Sequence, residues 1–180
     1  IDLAASATIS GYVTGMVKDE PYGEEEERGL QHVKVQVSGV GNTFTDANGW
    51  YSIDIGNQSR TVTVELQGQF INCENSNGSD AAISRTAIPG STENFHFEDV
   101  NSLPGERDTY YHGNFVHDLA VSIDESFTGA DYIMPANVNI GPEDPYWPCN
   151  AYWDGYTINM FSEGRSEERR VGKECRSRWA

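Results

Sequence analysis

The segment Thr45-Asp-Ala-Asn-Gly-Trp-Tyr-Ser-Ile53 decides the fold of the first part of this chain. Its Asn-Gly pair supplies the positive φ that a tight hairpin turn requires. Apolar and polar residues alternate after the turn, so Tyr51 and Ile53 fall on one face of a returning strand. We interpret Asp46 as a residue that caps the turn and not as a metal ligand. The segment therefore predicts a β-hairpin.

Alternation on both sides of this hairpin predicts further short strands. Ile9–Val17 and Thr61–Leu66 alternate, and His32–Ser38 places three valines on one face. Between Ile9–Val17 and His32–Ser38, the segment Lys18–Gly29 contains four consecutive glutamates and is interpreted as a solvated loop. Strands at this spacing, separated by turns, predict a small antiparallel β-sandwich over residues 1–70.

The second part of the chain has a different pattern. Asn72–Gly90 is rich in Asn, Ser and Gly and is interpreted as a loop, so that residues 71–105 form a linker and the start of another unit. Leu103-Pro-Gly105 precedes a predicted helix from Glu106 to about Ile123. An apolar stripe with a period of four residues is expected to face a core: Tyr111, Phe115, Leu119 and Ile123.

Composition limits the classes of function. The formal net charge is −16, which disfavours nucleic acid as a partner because its phosphates would be repelled. The sequence has no run of about 18 apolar residues, so no membrane span is expected. An acidic chain suits a secreted, extracellular protein and makes Ca²⁺ binding conceivable. A disulfide between Cys73 and Cys149 would be compatible with secretion.

The last residues depart from this composition. Six of the 12 Lys and Arg residues and three of the 28 Asp and Glu residues lie in 165–180, which gives that segment a charge of +3 and residues 1–164 a charge of −19. Arg165–Trp179 resembles the translated read-through of a common sequencing adapter, residue for residue. We therefore treat 165–180 as an artefactual or disordered tail. The natural sequence is then expected to break off at Gly164.

Residues from Ile9 to about Gly68 carry a first family resemblance. A Gly-x-Val start, an acidic loop, Gly29-Leu30 and three alternating valines precede Thr45–Ile53. This order resembles the carboxypeptidase regulatory-like domain, an Ig-like or transthyretin-like sandwich often attached to secreted enzymes. The resemblance implies an accessory module without catalytic residues.

Residues from Ser79 to Gly164 carry a second resemblance. The string Glu106-Arg107-Asp108-x-Tyr110-Tyr111-His112-x-Asn114-x-Val116-His117-Asp118 opens it, and Cys149-Asn-Ala-Tyr-Trp-Asp-Gly155 closes it. The pattern is similar to the N-terminal lobe of thermolysin-like or fungalysin-like zinc metallopeptidases. The whole chain is then mainly β with some α: the sandwich, followed by an incomplete α+β metallopeptidase lobe over 106–164.

The resemblance implies a substrate-binding role for Asn150, Ala151 and Tyr152. In that clan the corresponding strand lies at a sheet edge, where a peptide substrate adds beside it. Asn150 would hold the substrate backbone through its side-chain amide, and the Ala151 carbonyl would accept a hydrogen bond near the scissile bond. Tyr152 would shape a subsite. Without the resemblance, an ordinary strand with two core aromatics remains the alternative.

The zinc motif of the clan is absent from the sequence. No H-E-x-x-H occurs, so neither catalytic residues nor metal ligands are assigned, and zinc would belong to a full-length parent. His112 and His117 lie five residues apart, about 140° around a helix, and do not readily chelate one metal. We interpret His112, His117 and Asp118 as structural residues or as supports for other groups, with His112 pairing Asp108. His32 and His96, on strand-like segments, are expected to have no special role.

Two functions remain open. In the first, the chain is an inactive piece of a secreted zinc endopeptidase, and its parent acts on peptides or proteins. In the second, it is a non-enzymatic extracellular sandwich that binds calcium or glycans through its acidic loop and aromatic surface. The metallopeptidase function also predicts that the helix exposes its apolar stripe, because the elements that would cover the stripe are missing.

Overall fold

The structure, a computed structural model, describes residues 7–19, 23–141 and 151–161. These residues form twelve strands and one helix, α1, which spans Pro104–Ile123. The strands in chain order are β1 Thr8–Lys18, β2 Glu25–Gly29, β3 Val33–Val37, β4 Gly41–Phe44, β5 Trp50–Asp54, β6 Arg60–Gly68, β7 Ile71–Asn75, β8 Ala82–Ala87, β9 Phe95–Phe97, β10 Met134–Ile140, β11 Ala151–Trp153 and β12 Ile158–Phe161. The prediction of a mainly β chain with some α is confirmed.

The strands form two sheets. In the smaller sheet, β1 pairs antiparallel with β2 and β5 and parallel with β9. The larger sheet has the order β11-β12-β10-β7-β6-β3-β4, and β8 pairs with β6 beside it. Its β10 is parallel to both β7 and β12, whereas β11 and β12 form an antiparallel hairpin. The hairpin thus ends one side of the larger sheet.

One cluster of buried apolar side chains includes residues of both sheets and of the helix. Alternation in β1, β3 and β6 buries every second residue, and the apolar side chains among these residues belong to the cluster. Tyr110 joins it from α1, and Ala136 joins it from β10. The described residues contain no helix with the length and apolar content needed to cross a membrane.

The turn that was predicted around Asp46 is confirmed, but the β-hairpin is wrong, because β4 pairs with β3 in the larger sheet and β5 pairs with β1 in the smaller one. The Oδ1 atom of Asp46 accepts hydrogen bonds from the backbone amides of Asn48 at 2.8 Å and Trp50 at 2.9 Å. Gly49 has a φ of +79°, and a Cβ there would meet backbone atoms of neighbouring segments. The turn therefore needs glycine for its conformation and also for its close packing.

Two segments that were predicted to be loops contain strands. Glu25–Gly29 is β2, so the interpretation of all of Lys18–Gly29 as a loop is wrong. Asn72–Gly90 contains most of β7 and all of β8, so that loop prediction is also wrong. Both segments are polar because most of their side chains face solvent, while their backbones pair with apolar strands. Periodicity does not reveal such strands.

The helix was predicted at nearly its observed bounds, but the buried face was wrong. Phe115 and Leu119 are about half exposed, and Ile123 is largely exposed. The buried positions are mostly polar: Glu106, Arg107, Thr109, Tyr110, Asn114 and His117. Phe115, Leu119 and Ile123 therefore face outward, as expected if the elements that would cover them are missing, whereas Tyr111 packs against the core as the periodic pattern predicted.

Candidate functional site

The predicted peptide-binding residues lie on or next to β11. Ala151 and Tyr152 belong to this strand, and Asn150 lies outside the described residues. Ala151 pairs with Met160 and Trp153 with Ile158, both on β12. Among the described strands β11 pairs only with β12, so its other edge faces away from the sheet. All three residues of β11 are exposed.

A tight turn positions β11 against β12. The Oδ1 atom of Asp154 accepts hydrogen bonds from the amides of Tyr156 at 2.8 Å and Thr157 at 2.7 Å. These bonds stabilise the carboxylate and lower the pKa of Asp154. Gly155 has a φ of +95°, a conformation that side chains disfavour. The turn chemistry is local and fixes the register of the hairpin.

A buried amide network joins the hairpin to the rest of the sheet. Asn159 on β12 is buried, and its Oδ1 accepts a hydrogen bond from Nδ2 of Asn137 on β10 at 3.0 Å. The Nδ2 atom of Asn159 donates to the Thr157 carbonyl at 3.0 Å. Buried amides need such partners, and their directionality holds the strands in register. The edge strand therefore has a defined position relative to β10.

A cavity opens beside β11. It has a volume of about 230 Å³ and is lined by Tyr132, Ile133, Pro135, Trp153, Gly155 and Tyr156. Most of these side chains are apolar or aromatic, and several are about half exposed or more. A large side chain that enters from solvent would be buried against them.

The start of α1 is anchored by buried charged groups. The carboxylate of Glu106 accepts hydrogen bonds from the amides of Leu103 and Ala81, both at 2.9 Å. Burial raises the pKa of Glu106. Arg107 is fully buried and contacts residues of β1 and β2. Arg107 thus connects the helix to the smaller sheet, and Glu106 connects it to the residue that precedes β8 of the larger sheet.

His112 and Asp108 contact the same residue and serve as structural groups. Nε2 of His112 lies 2.7 Å from the carbonyl oxygen of Lys18, and Oδ1 of Asp108 accepts a hydrogen bond from the Lys18 amide at 3.0 Å. Burial raises the pKa of Asp108. The two side chains, one helical turn apart, together hold the end of β1 against α1.

His117 and Asp118 meet a histidine that sequence reasoning did not select. His32 Nε2 lies 2.8 Å from Asp118 Oδ1, and His117 Nδ1 lies 3.0 Å from the same oxygen. The three potential ligand atoms all lie within 4.8 Å of one another. His32 occupies a turn with a φ of +61°, so its assignment to a strand was wrong. Because His32 and Asp118 lie 86 residues apart, no local spacing could have revealed this group.

The acidic run does not converge on one point. Glu25 contacts Arg107, Glu26 contacts Arg28, and the carboxylate of Glu27 lies 3.6 Å from Nδ1 of His96. A calcium site needs several oxygens directed at one centre. To bind calcium, these glutamates would have to break the contacts with Arg107, Arg28 and His96.

Cys73 is buried and has a free thiol, and burial raises its pKa. The predicted disulfide with Cys149, which lies outside the described residues, is therefore not formed in this structure. Comparisons with protein-family models, with curated proteins and with solved structures found no match for this chain.

Proposed function

We propose that this chain is a piece of a secreted zinc metallo-endopeptidase and that β11 binds the peptide substrate of the parent enzyme. In this proposal the N-terminal residues form an accessory Ig-like or transthyretin-like sandwich, and the residues from α1 onward belong to the catalytic lobe. One observation carries the proposal: β11, with Ala151 and Tyr152, lies at the end of the larger sheet and is exposed.

An exposed edge strand has a general way of binding extended peptides. Its outward backbone amides and carbonyls form hydrogen bonds with a peptide that lies beside it as an additional strand. Such bonds do not depend on the peptide's side chains, so specificity must come from neighbouring pockets. The cavity beside Trp153 supplies one pocket, and its volume and lining suit an aliphatic or aromatic side chain.

The catalytic zinc of such a parent does not fit the residues of this chain. The sequence has no H-E-x-x-H, which in that class of enzyme supplies two ligands and the general base. We therefore assign peptide binding, and not peptide cleavage, to the present chain. The full chain is expected to show no chelator-sensitive cleavage of casein, and such turnover would contradict the proposal.

Peptide binding by β11 is tested with N-methylated peptides. The probe is a fluorescent, extended heptapeptide with one central Phe, whose ring would fix the register by entering the cavity. Two further peptides carry N-methyl groups on alternate residues. In one peptide the methylated amides face β11, and in the other they face away from it. Methylation of the amides that face β11 removes about two hydrogen bonds, so that peptide should bind at least about tenfold more weakly. The other methylated peptide should retain most of the affinity.

Two protein variants serve as the matched pair. Trp153→Ala removes a wall of the cavity and should weaken binding of the Phe peptide by about tenfold. Tyr12→Ala removes an aromatic side chain of similar exposure on β1, in the smaller sheet, and should leave binding unchanged. Equal binding of the two methylated peptides, or no binding of the parent peptide, would contradict the assignment of β11.

A further inference from the structure

We propose that His32, His117 and Asp118 form a zinc site that ties the turn before β3 to helix α1. The site is separate from β11 and from the catalytic zinc of a parent enzyme, and it does not depend on the function proposed above. Its three donors come from two distant parts of the chain. A metal there would connect the start of the larger sheet's β3 to the second half of the helix.

The distances between the donors suit a small metal ion. His32 Nε2 and His117 Nδ1 lie 2.8 Å and 3.0 Å from Asp118 Oδ1, and the second oxygen of Asp118 lies 3.0 Å from His32. A tetrahedral zinc about 2.0–2.1 Å from each ligand keeps its ligands about 3.3 Å apart. The two histidine nitrogens therefore need to move only a few tenths of an ångström away from Asp118 to admit the ion, and all three donors already lie within 4.8 Å of one another.

Both nitrogens of each histidine ring lie beside acceptors, and this arrangement suits a metal at the inner nitrogens. His117 Nε2 lies 3.2 Å from Asp131 Oδ1, and His32 Nδ1 lies 3.2 Å from Gln69 Oε1. Because the inner partner, the Asp118 carboxylate, is an acceptor as well, a neutral ring always directs one lone pair at an oxygen. With its proton on the outer nitrogen, each ring would donate to Asp131 or Gln69. Its inner nitrogen would then be free to bind a cation placed between the ring and Asp118.

This arrangement also matches how proteins support metal-binding histidines. A ligating histidine usually donates its other N–H to a carboxylate or an amide oxygen, which fixes its tautomer and orientation. Asp131 and Gln69 occupy these supporting positions. Phe70 fixes the rings further, because it stacks on His117 with a centroid distance of 3.4 Å and meets His32 edge-on at 4.8 Å. The two rings are therefore held in place before any metal binds.

Burial and backbone conformation agree with a site of this kind. The His117 side chain is 9% exposed and that of Asp118 is 38% exposed, so a metal could enter from solvent and keep a water as its fourth ligand. His32 adopts a left-handed conformation that is unfavourable for a residue with a side chain. Such conformations are concentrated at ligand-binding sites, where the gain from binding offsets their cost.

The donor types select the metal. Imidazole suits zinc and other first-row transition metals, whereas Ca²⁺ and Mg²⁺ require oxygen ligands. Two histidines, one carboxylate and a water give zinc a common four-coordinate environment. We therefore assign the site to zinc and expect no response to calcium at this position.

The test is a zinc titration of the chelator-treated full chain, read out by competition with a chromophoric chelator and by the melting temperature. We expect one zinc per chain at this site and a rise in melting temperature when zinc is added. Asp118→Asn and His32→Gln should abolish this binding. Asp131→Asn changes an exposed residue that only supports His117, and it should weaken binding by about tenfold to a hundredfold without unfolding the protein.

His96→Gln is the matched control. His96 is also partly exposed and lies near a carboxylate, that of Glu27, but it belongs to β9, and its observed partners are not ligands of the proposed site, so its substitution should leave zinc binding unchanged. Zinc binding that survives Asp118→Asn and Asp131→Asn would overturn the proposal. The absence of zinc binding by the chelator-treated wild-type chain would overturn it as well.

Discussion

Nη2 of Arg107 on the helix lies 3.0 Å from Oε1 of Glu25 on β2, 82 residues earlier in the chain. The same guanidinium donates through Nε to the Met16 carbonyl at 2.6 Å and through Nη1 to Ser102 at 3.0 Å. Arg107 is fully buried, and Nη2 also contacts Asp99. One cation thus joins α1, β1, β2 and the segment before the helix.

Arg107→Ala should strongly destabilise the protein. The substitution leaves Glu25 and the Met16 carbonyl without their buried partner, and breaking a buried charge pair in this way costs about 3–5 kcal/mol. The free energy of unfolding from urea titration measures the loss. Arg28→Ala is the control, because Arg28 makes exposed ion pairs with Asp19 and Glu26 and should have a much smaller effect. Similar losses for the two variants would show that Arg107 is not the anchor.

Asp108→Asn should change how stability depends on pH. Burial raises the pKa of Asp108 above its ordinary value of 3.8, so the folded protein binds this proton more tightly than the unfolded chain does. The contribution of Asp108 is therefore fully present below the unfolded pKa and is lost as the pH rises through the folded pKa. Asparagine can still accept the hydrogen bond from Lys18 but does not titrate.

The variant should consequently gain stability relative to the wild type as the pH is raised from about 4 to about 7. Urea unfolding of both proteins at several pH values in this range measures the difference. A difference that stays constant, or that changes in the opposite direction, would contradict the raised pKa.

Gly49→Ala should destabilise the protein more than Gly56→Ala. Both glycines have left-handed φ values, +79° and +70°, so each substitution carries a conformational cost of about 1–2 kcal/mol. A Cβ at Gly49 would also meet backbone atoms of Val13 and Leu30, whereas nothing lies within 4 Å of a Cβ at Gly56. Urea unfolding of the two variants isolates the packing cost. Equal losses would show that Gly49 is required for its φ alone.

Leu119→Lys should reduce self-association and leave stability nearly unchanged. Leu119 is 48% exposed and belongs to an apolar surface on α1 that also includes Phe115, Val116 and Ile123. Surface substitutions of this kind change stability by about 0.5 kcal/mol or less, while removal of an exposed apolar patch lowers aggregation. Light scattering measures association. Tyr110→Ala, on the buried face of the same helix, should instead cost about 3–5 kcal/mol.

Sequence reasoning predicted the elements whose side chains follow a period. The alternating apolar residues of β1, β3, β5 and β6 identified these strands, and the Asn-Gly pair identified the turn but not its role, which is to lead the chain from the larger sheet to the smaller one. Strands β2 and β8 were not predicted, because their pairing depends on backbone hydrogen bonds and their side chains are largely polar. Neither element has an apolar face that a periodic pattern could reveal.

The helix illustrates a second limit. Its bounds followed from the Pro-Gly start and the spacing of apolar residues, but its buried face did not. Arg107 is buried because acceptors from distant segments surround it. The sequence of the helix alone does not predict these partners. His32 was overlooked for the same reason, since its contact with Asp118 exists only in the folded chain. Ala151 and Tyr152 were selected through a family resemblance, and their peptide-binding role stays a prediction.

The source DNA beyond the codon for Gly164 provides the most direct test of the central claim, that this chain is a piece of a zinc metallopeptidase. We expect re-amplification and sequencing to give, in place of the segment that resembles an adapter, a reading frame that continues into a helix with H-E-x-x-H. A genomic basic tail that ends the reading frame after Ala180 would contradict the claim and would favour a small secreted binding protein.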